Sequence, residues 1–188
     1  LLGNKFKNII CFSINNITCD LTTPINKNLS LYTIELKNKK SLNILRHSCA
    51  HLLAHAIKTI YKNVKFSIGP VIKSGFYYDF YLNKKLTNLD LSKIEKKMSY
   101  LACKEYPISR FMVDKKFCKI FFANNKYKIA IINKLTKNLL YIYKQSDFTD
   151  LCLGPHISNT NILKYFKLIK ISGAYWKNDN KNEMLYRI

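Results

Sequence analysis

The chain has 188 residues, of which 48% are hydrophobic and 23% charged, a composition that supports a packed core and excludes a disordered chain. No apolar run approaches the roughly 20 residues of a membrane helix, and Leu1 to Ile10 mixes Lys and Asn into its apolar residues, so neither a membrane span nor a secretory signal is expected and the cytoplasm is the expected compartment. Thirty-two Lys and Arg against 11 Asp and Glu give a net charge of +21, which attracts polyanions, although Lys- and Asn-rich composition also follows from A/T-rich codons.

Phe6 to Ile14 reads as an apolar strand ending at an Asn15-Asn16 hairpin turn, with Thr18 to Leu21 returning and Ser30 to Leu36 alternating as a third strand. The polar run Lys37 to Ser41 reads as a linker, placing a domain boundary between residues 1–38 and 39–188. Ser41 is placed as the N-cap of a helix reaching about Tyr61, with Leu42, Leu45, Cys49, Leu52, Leu53, Ala56, Ile57 and Ile60 expected on its buried face. A strand-rich stretch follows, broken at Gly69-Pro70 and Gly75 ahead of Phe76 to Phe80. Ser92 to Glu95 has a capping-box pattern for a second helix ending before Pro107, and Asp114 to Ala123 reads as a third. Leu139 to Tyr143, Tyr165 to Ile171 and Glu183 to Ile188 read as strands. The order implies an α+β fold: a mixed or antiparallel sheet packed with a long helix, preceded by a small β-rich subdomain.

All four histidines fall in two clusters. His47, His51 and His55 are spaced four apart on the first helix, so His47 and His51 project from one face. Cys152-Leu153-Gly154-Pro155-His156 carries a Gly-Pro bend that can turn Cys152 and His156 toward a common centre. HxxxH with CxxxH is a donor set suited to tetrahedral zinc. The same groups can equally serve metal-free hydrolysis, since an imidazole titrating near 6.5 can orient or deprotonate water. His55, one turn further on, is expected to have a supporting role. The six cysteines form no CxxC pair and read as free thiols or single site residues.

Four blocks carry a resemblance: Arg46 to Lys58 (RHSCAHLLAHAIK), Ser67 to Phe80 (SIGPVIKSGFYYDF), Asp150 to His156 (DLCLGPH) and Phe166 to Asp179 (FKLIKISGAYWKND). In order and spacing they resemble the signature blocks of the threonyl-tRNA synthetase editing domain, and Ile14 to Leu36 is similar to the second half of the β-rich TGS domain that precedes it. The resemblance implies hydrolysis of tRNA(Thr) mischarged with serine. It implies His47, His51, Lys128, Cys152 and His156 as catalytic-site residues, and Tyr78, Asp150 and Gly69 as substrate-binding residues. An alignment slip from Lys128 to Lys126 is left open. It also implies no bound metal in this region; if zinc is bound, its ligands are His47, His51, Cys152 and His156, as in related alanyl-type editing modules. ATP, magnesium and a further zinc are expected only in a synthetase core beyond this chain. The implied partners are the tRNA(Thr) acceptor end, that core in cis, and a second subunit of the parent enzyme. Trp176, beside Lys164, Lys167 and Lys170, reads as a packed aromatic that could instead stack on an exposed base.

The chain departs from the family pattern in places. It opens on Leu1-Leu2-Gly3 partway through the TGS-like portion and stops at Arg187-Ile188, so a fragment of a longer ligase is expected. Leu153 stands where an arginine is expected.

Overall fold

The computed structural model describes residues 8–26 and 28–188; the start of the expected Phe6 strand and the opening Leu1-Leu2-Gly3 lie outside the described residues. Three strands, β1 (Ile9–Ile14), β2 (Ile17–Asp20) and β3 (Tyr32–Glu35), form an antiparallel sheet in the order β2-β1-β3. Its tight turn uses Asn15 and Asn16 with φ of 48° and 63°, the left-handed conformation a two-residue hairpin requires and Asn tolerates. Four successive β1 residues are buried rather than every second one. The reason is that this sheet does not stand apart: Ile10, Cys11 and Ile34 join the same core as Leu52, Leu53 and Ile57.

Helix α1 (Ser41–Ile60) is the spine of that core. Ser41 is not its N-cap, as the sequence suggested; the cap position is Lys40, and the Ser41 hydroxyl donates backwards to the carbonyls of Leu36 (2.6 Å) and Asn38 (2.5 Å). Four short strands follow, β4 (Lys65–Phe66), β5 (Val71–Ile72), β6 (Gly75–Phe76) and β7 (Asp79–Tyr81), with β5 and β6 paired as a hairpin that turns at Lys73-Ser74, so the expected breaker Gly75 lies inside β6, opposite Ile72. Helix α2 (Asn88–Ala102) begins before the expected Ser92, because Thr87 and Asp90 form the reciprocal capping box.

The second half builds a three-stranded antiparallel sheet from β8 (Ile108–Asp114), β9 (Leu139–Gln145) and β10 (Phe148–Leu151), in the order β10-β9-β8. Two helices cross between β8 and β9: α3 (Lys115–Phe121), the expected third helix, capped by Asp114, and α4 (Lys126–Lys134), capped by Asn125, which the sequence did not suggest. Cys118, Phe122, Ile132, Leu140 and Ile142 form a satellite core beneath them. Strands β11 (Ser172–Tyr175) and β12 (Met184–Arg187) complete a sheet in the order β11-β12-β7-β4.

Tyr165 to Ile171 is not a strand. Its backbone is claimed by a side chain instead: Glu95 accepts from the Leu168 amide and from Lys167 Nζ, both at 2.7 Å, while Tyr165 and Ile169 face outwards. The architecture is α+β, and no helix of the described residues is long and apolar enough to cross a membrane.

Candidate functional site

Helical spacing delivers the first half of the site. His47 and His51 lie one turn apart on α1 with ring centroids 5.3 Å apart. The bend after β10 delivers the second half. Gly154 adopts φ +71°, and a Cβ there would lie 1.9 Å from the Tyr143 hydroxyl, so the backbone rests directly on that tyrosine. Cys152 Sγ comes to 2.9 Å from His47 Nε2 and 3.4 Å from His156 Nε2. The rings of His51 and His156 lie 4.1 Å apart.

One donor atom from each of His47, His51, Cys152 and His156 lies within 4.8 Å of the others, so this group could hold a metal. Tetrahedral zinc with these donors would need N···S separations of about 3.5 Å; the Cys152–His156 separation of 3.4 Å meets this, and the His47–Cys152 separation of 2.9 Å is shorter and would have to open. Donor chemistry also suits an ion. Burial pushes all three histidines below their ordinary value, most strongly at His51 and His156, so each presents a neutral imidazole. Burial pushes the Cys152 thiol up to about 12, opposed by the Gly154 amide; with no ion bound it is a thiol. The Ser48 hydroxyl lies 3.0 Å from His156 Nδ1 and fixes that ring from behind.

A cavity of about 360 Å³ opens beside the cluster, lined by His47, His51, Gly69, Tyr78, Lys128, Asp150 and Cys152 among others. His156 is not on its wall; it is 1% exposed and stands behind Cys152. At the cavity floor, Lys128 Nζ lies 2.5 Å from Asp150 Oδ1 and donates to Tyr78 Oη at 3.1 Å. Tyr78 in turn donates to the other Asp150 oxygen, and its hydroxyl is held well above its ordinary value by burial, then by the Asp150 charge. Lys128 is 3% exposed, whereas Lys126 is turned outward and paired with Glu183, so the α4 lysine at the site is Lys128. Gly69 serves by absence: a Cβ there would meet the Tyr78 ring at 2.4 Å. A larger groove of about 730 Å³ lies elsewhere along α1, lined by Leu42, Cys49, Phe76 and Phe166 with the cationic Arg46, Lys164 and Lys167, and none of the four histidines is on its wall.

His55 stays outside the cluster. Its Nε2 lies 2.7 Å from Asp147, its Nδ1 2.9 Å from the Gln145 amide, and its ring stacks on Phe148. Trp176 packs edge-on against Tyr127 with Lys177 Nζ 4.1 Å from its ring centroid. Leu153 is exposed at the rim. Ser48, Gln145 and Asp147 were not identified from sequence. Only Ser48, next to His47, had a positional signal, since it shares the helix face that meets the bend.

Residues 140–188 match the family model described as the threonyl and alanyl tRNA synthetase second additional domain. Over 171 residues, 90% of its length, the chain is 49% identical to the threonine–tRNA ligases of Francisella tularensis subsp. tularensis strains FSC 198 and SCHU S4. It is 48% identical to that of Francisella tularensis subsp. novicida strain U112 over the same share. The aligned stretch is 27% of each relative, so the chain spans about a quarter of their length.

Proposed function

Since nine tenths of this chain corresponds in sequence to the N-terminal region of threonine–tRNA ligases, we propose that its cavity hydrolyses the ester of tRNA(Thr) mischarged with serine. The observation that carries this reading is the convergence of His47, Lys128 and Cys152 on one cavity. The physical need is plain: one missing methyl group is worth only about 1–3 kcal/mol of binding, too little for a synthetic site to reject serine without a second, hydrolytic sieve.

His47 is the half-buried imidazole on the wall, neutral through burial and oriented by Cys152. It aligns the attacking water and accepts its proton. Lys128 has three N–H donors; Asp150 and Tyr78 occupy two, leaving one for the ester carbonyl, where negative charge develops. Asp150 and Tyr78 hold that ammonium in place. The +21 net charge draws the acceptor end of tRNA toward the protein. In the parent enzyme the cavity would act in cis to a core that joins threonine to tRNA(Thr) with ATP, in a homodimer.

The donor set supports a second reading. His47, His51, Cys152 and His156 would hold zinc, and a bound zinc would supply an activated water and Lewis acidity as in alanyl-type editing modules. The proposed turnover needs no ion.

The deciding assay presents the purified protein with Ser-tRNA(Thr) and Thr-tRNA(Thr). Rapid release of serine with threonine spared is expected. Equal hydrolysis of both, or tight salt-dependent tRNA binding without hydrolysis, overturns the reading.

A further inference from the structure

Asp20 closes β2, in the N-terminal sheet, yet its side chain is 6% exposed and reaches the His156 backbone. Its Oδ1 accepts the backbone N–H of His156 at 2.6 Å, across 136 positions of sequence. Its Oδ2 accepts the hydroxyl of Tyr143 at 2.7 Å, and that tyrosine is the surface on which Gly154 rests. Arg110 Nη1, 3.3 Å from Oδ2, balances the buried charge, and is itself held by Thr23 Oγ1 at 2.9 Å and by stacking over Tyr141. A second bond runs the same way: the Cys11 thiol donates to the His156 carbonyl at 3.5 Å. Both backbone polar groups of His156 are therefore satisfied by the N-terminal sheet rather than by the domain that carries the rest of the cluster.

A buried carboxylate with both oxygens committed is rigid, because breaking either bond leaves an unsatisfied group away from water. The ring of His156 has one further fixed point, Ser48 at Nδ1, and its Nε2 faces Cys152. Rotation or retreat of the 152–156 bend would move Cys152 away from His47, 2.9 Å distant.

We propose that Asp20 is a positioning residue for the site: by holding the His156 backbone and the Tyr143 support under Gly154, it makes the site complete only when the N-terminal sheet is docked. Its effect on turnover rests on the hydrolytic reading above; its effect on the His156 ring does not. Outright loss of the sheet would have the same consequence, so this contact couples the TGS-like portion to the chemistry.

The test compares Asp20→Ala, Asp20→Asn and Tyr143→Phe with the unaltered chain by two measurements. The first is kcat and KM for Ser-tRNA(Thr) deacylation. The second is the long-range 15N–1H spectrum of the four histidine rings, which reports tautomer and environment. Asp20→Ala is expected to lower kcat roughly 10- to 100-fold, with KM changed far less, and to move the His156 ring signals. Asp20→Asn, which keeps one acceptor for the His156 amide, is expected to fall between Asp20→Ala and the unaltered chain, and Tyr143→Phe to cost less than Asp20→Ala. Should Asp20→Ala fail to fold, the graded effect of Asp20→Asn carries the same decision. A drop in activity that only tracks the folded fraction, with the His156 signals of the folded molecules unmoved, overturns the proposal. If the unaltered chain hydrolyses no Ser-tRNA(Thr), the functional reading fails, and the ring spectra alone decide this one.

Discussion

Lys128 and Asp150 form an ion pair 2.5 Å long with each side chain only 3% exposed, so neither charge can be compensated by water if the other is removed. Lys128→Met and Asp150→Asn are each expected to destabilise the fold by about 3–5 kcal/mol, because each strands a buried partner. The double variant should cost clearly less than the two single costs added. Urea unfolding midpoints measure this directly, and strict additivity would show that the pair does not act as a unit.

His47 and His55, on the same helix, should separate by phenotype. His47→Ala is expected to lower Ser-tRNA(Thr) deacylation by about 10²- to 10⁴-fold while leaving the melting temperature nearly unchanged. His55→Ala should do the opposite, because it orphans the buried Gln145 amide and costs about 1–3 kcal/mol of stability with kcat retained. Comparable kinetic losses in both variants would contradict the placement of His55 outside the site.

Gly69→Ala tests the floor of the cavity. The added methyl would stand 2.4 Å from the Tyr78 ring and has to displace a side chain already bonded to Asp150 and Lys128. A cost of about 1–3 kcal/mol is expected from overpacking, together with slower deacylation. Wild-type stability and rate in this variant would show that Tyr78 yields freely.

Dialysis against a chelator separates the two hydrolytic readings. Ser-tRNA(Thr) turnover is expected to survive metal removal, since His47 and Lys128 supply the base and the charge. Loss of activity restored by stoichiometric zinc would instead assign the His47, His51, Cys152 and His156 cluster to the ion.

The pH dependence of stability has one well-defined contributor at Asp90. The Tyr61 hydroxyl, then Lys84 and Thr87, hold its carboxyl well below the usual carboxylate range. A depressed folded value means the stabilisation is complete above the unfolded value of about 3.9 and is lost as pH falls toward the folded one. Asp90→Asn should therefore cost about 1 kcal/mol at neutral pH, mainly through the α2 cap, with the gap to wild type closing below about pH 4. Thermal melts at several pH values read this out, and a constant gap would rule it out.

The reactive groups were legible from the chain alone because their signals are local. A four-residue period on a helix brings His47 and His51 to one face, and a Gly-Pro bend brings Cys152 back toward His156. The apolar rhythm of α1 and the Asn15-Asn16 turn are likewise short-range physics, and both appear in the fold. The false Tyr165 to Ile171 strand and the unread helix α4 mark the limit of that reading: in the first an apolar-rich run gives its Leu168 amide to the Glu95 carboxylate instead of to a neighbouring strand, and in the second nine residues are too few for a helical period to stand out. Which lysine faces the cavity, which histidine stands behind its wall, and that Asp20 reaches His156 were decided by packing between segments 50 to 136 positions apart. Burial and a single hydrogen bond leave no periodic trace along the chain, so only the folded molecule could assign them.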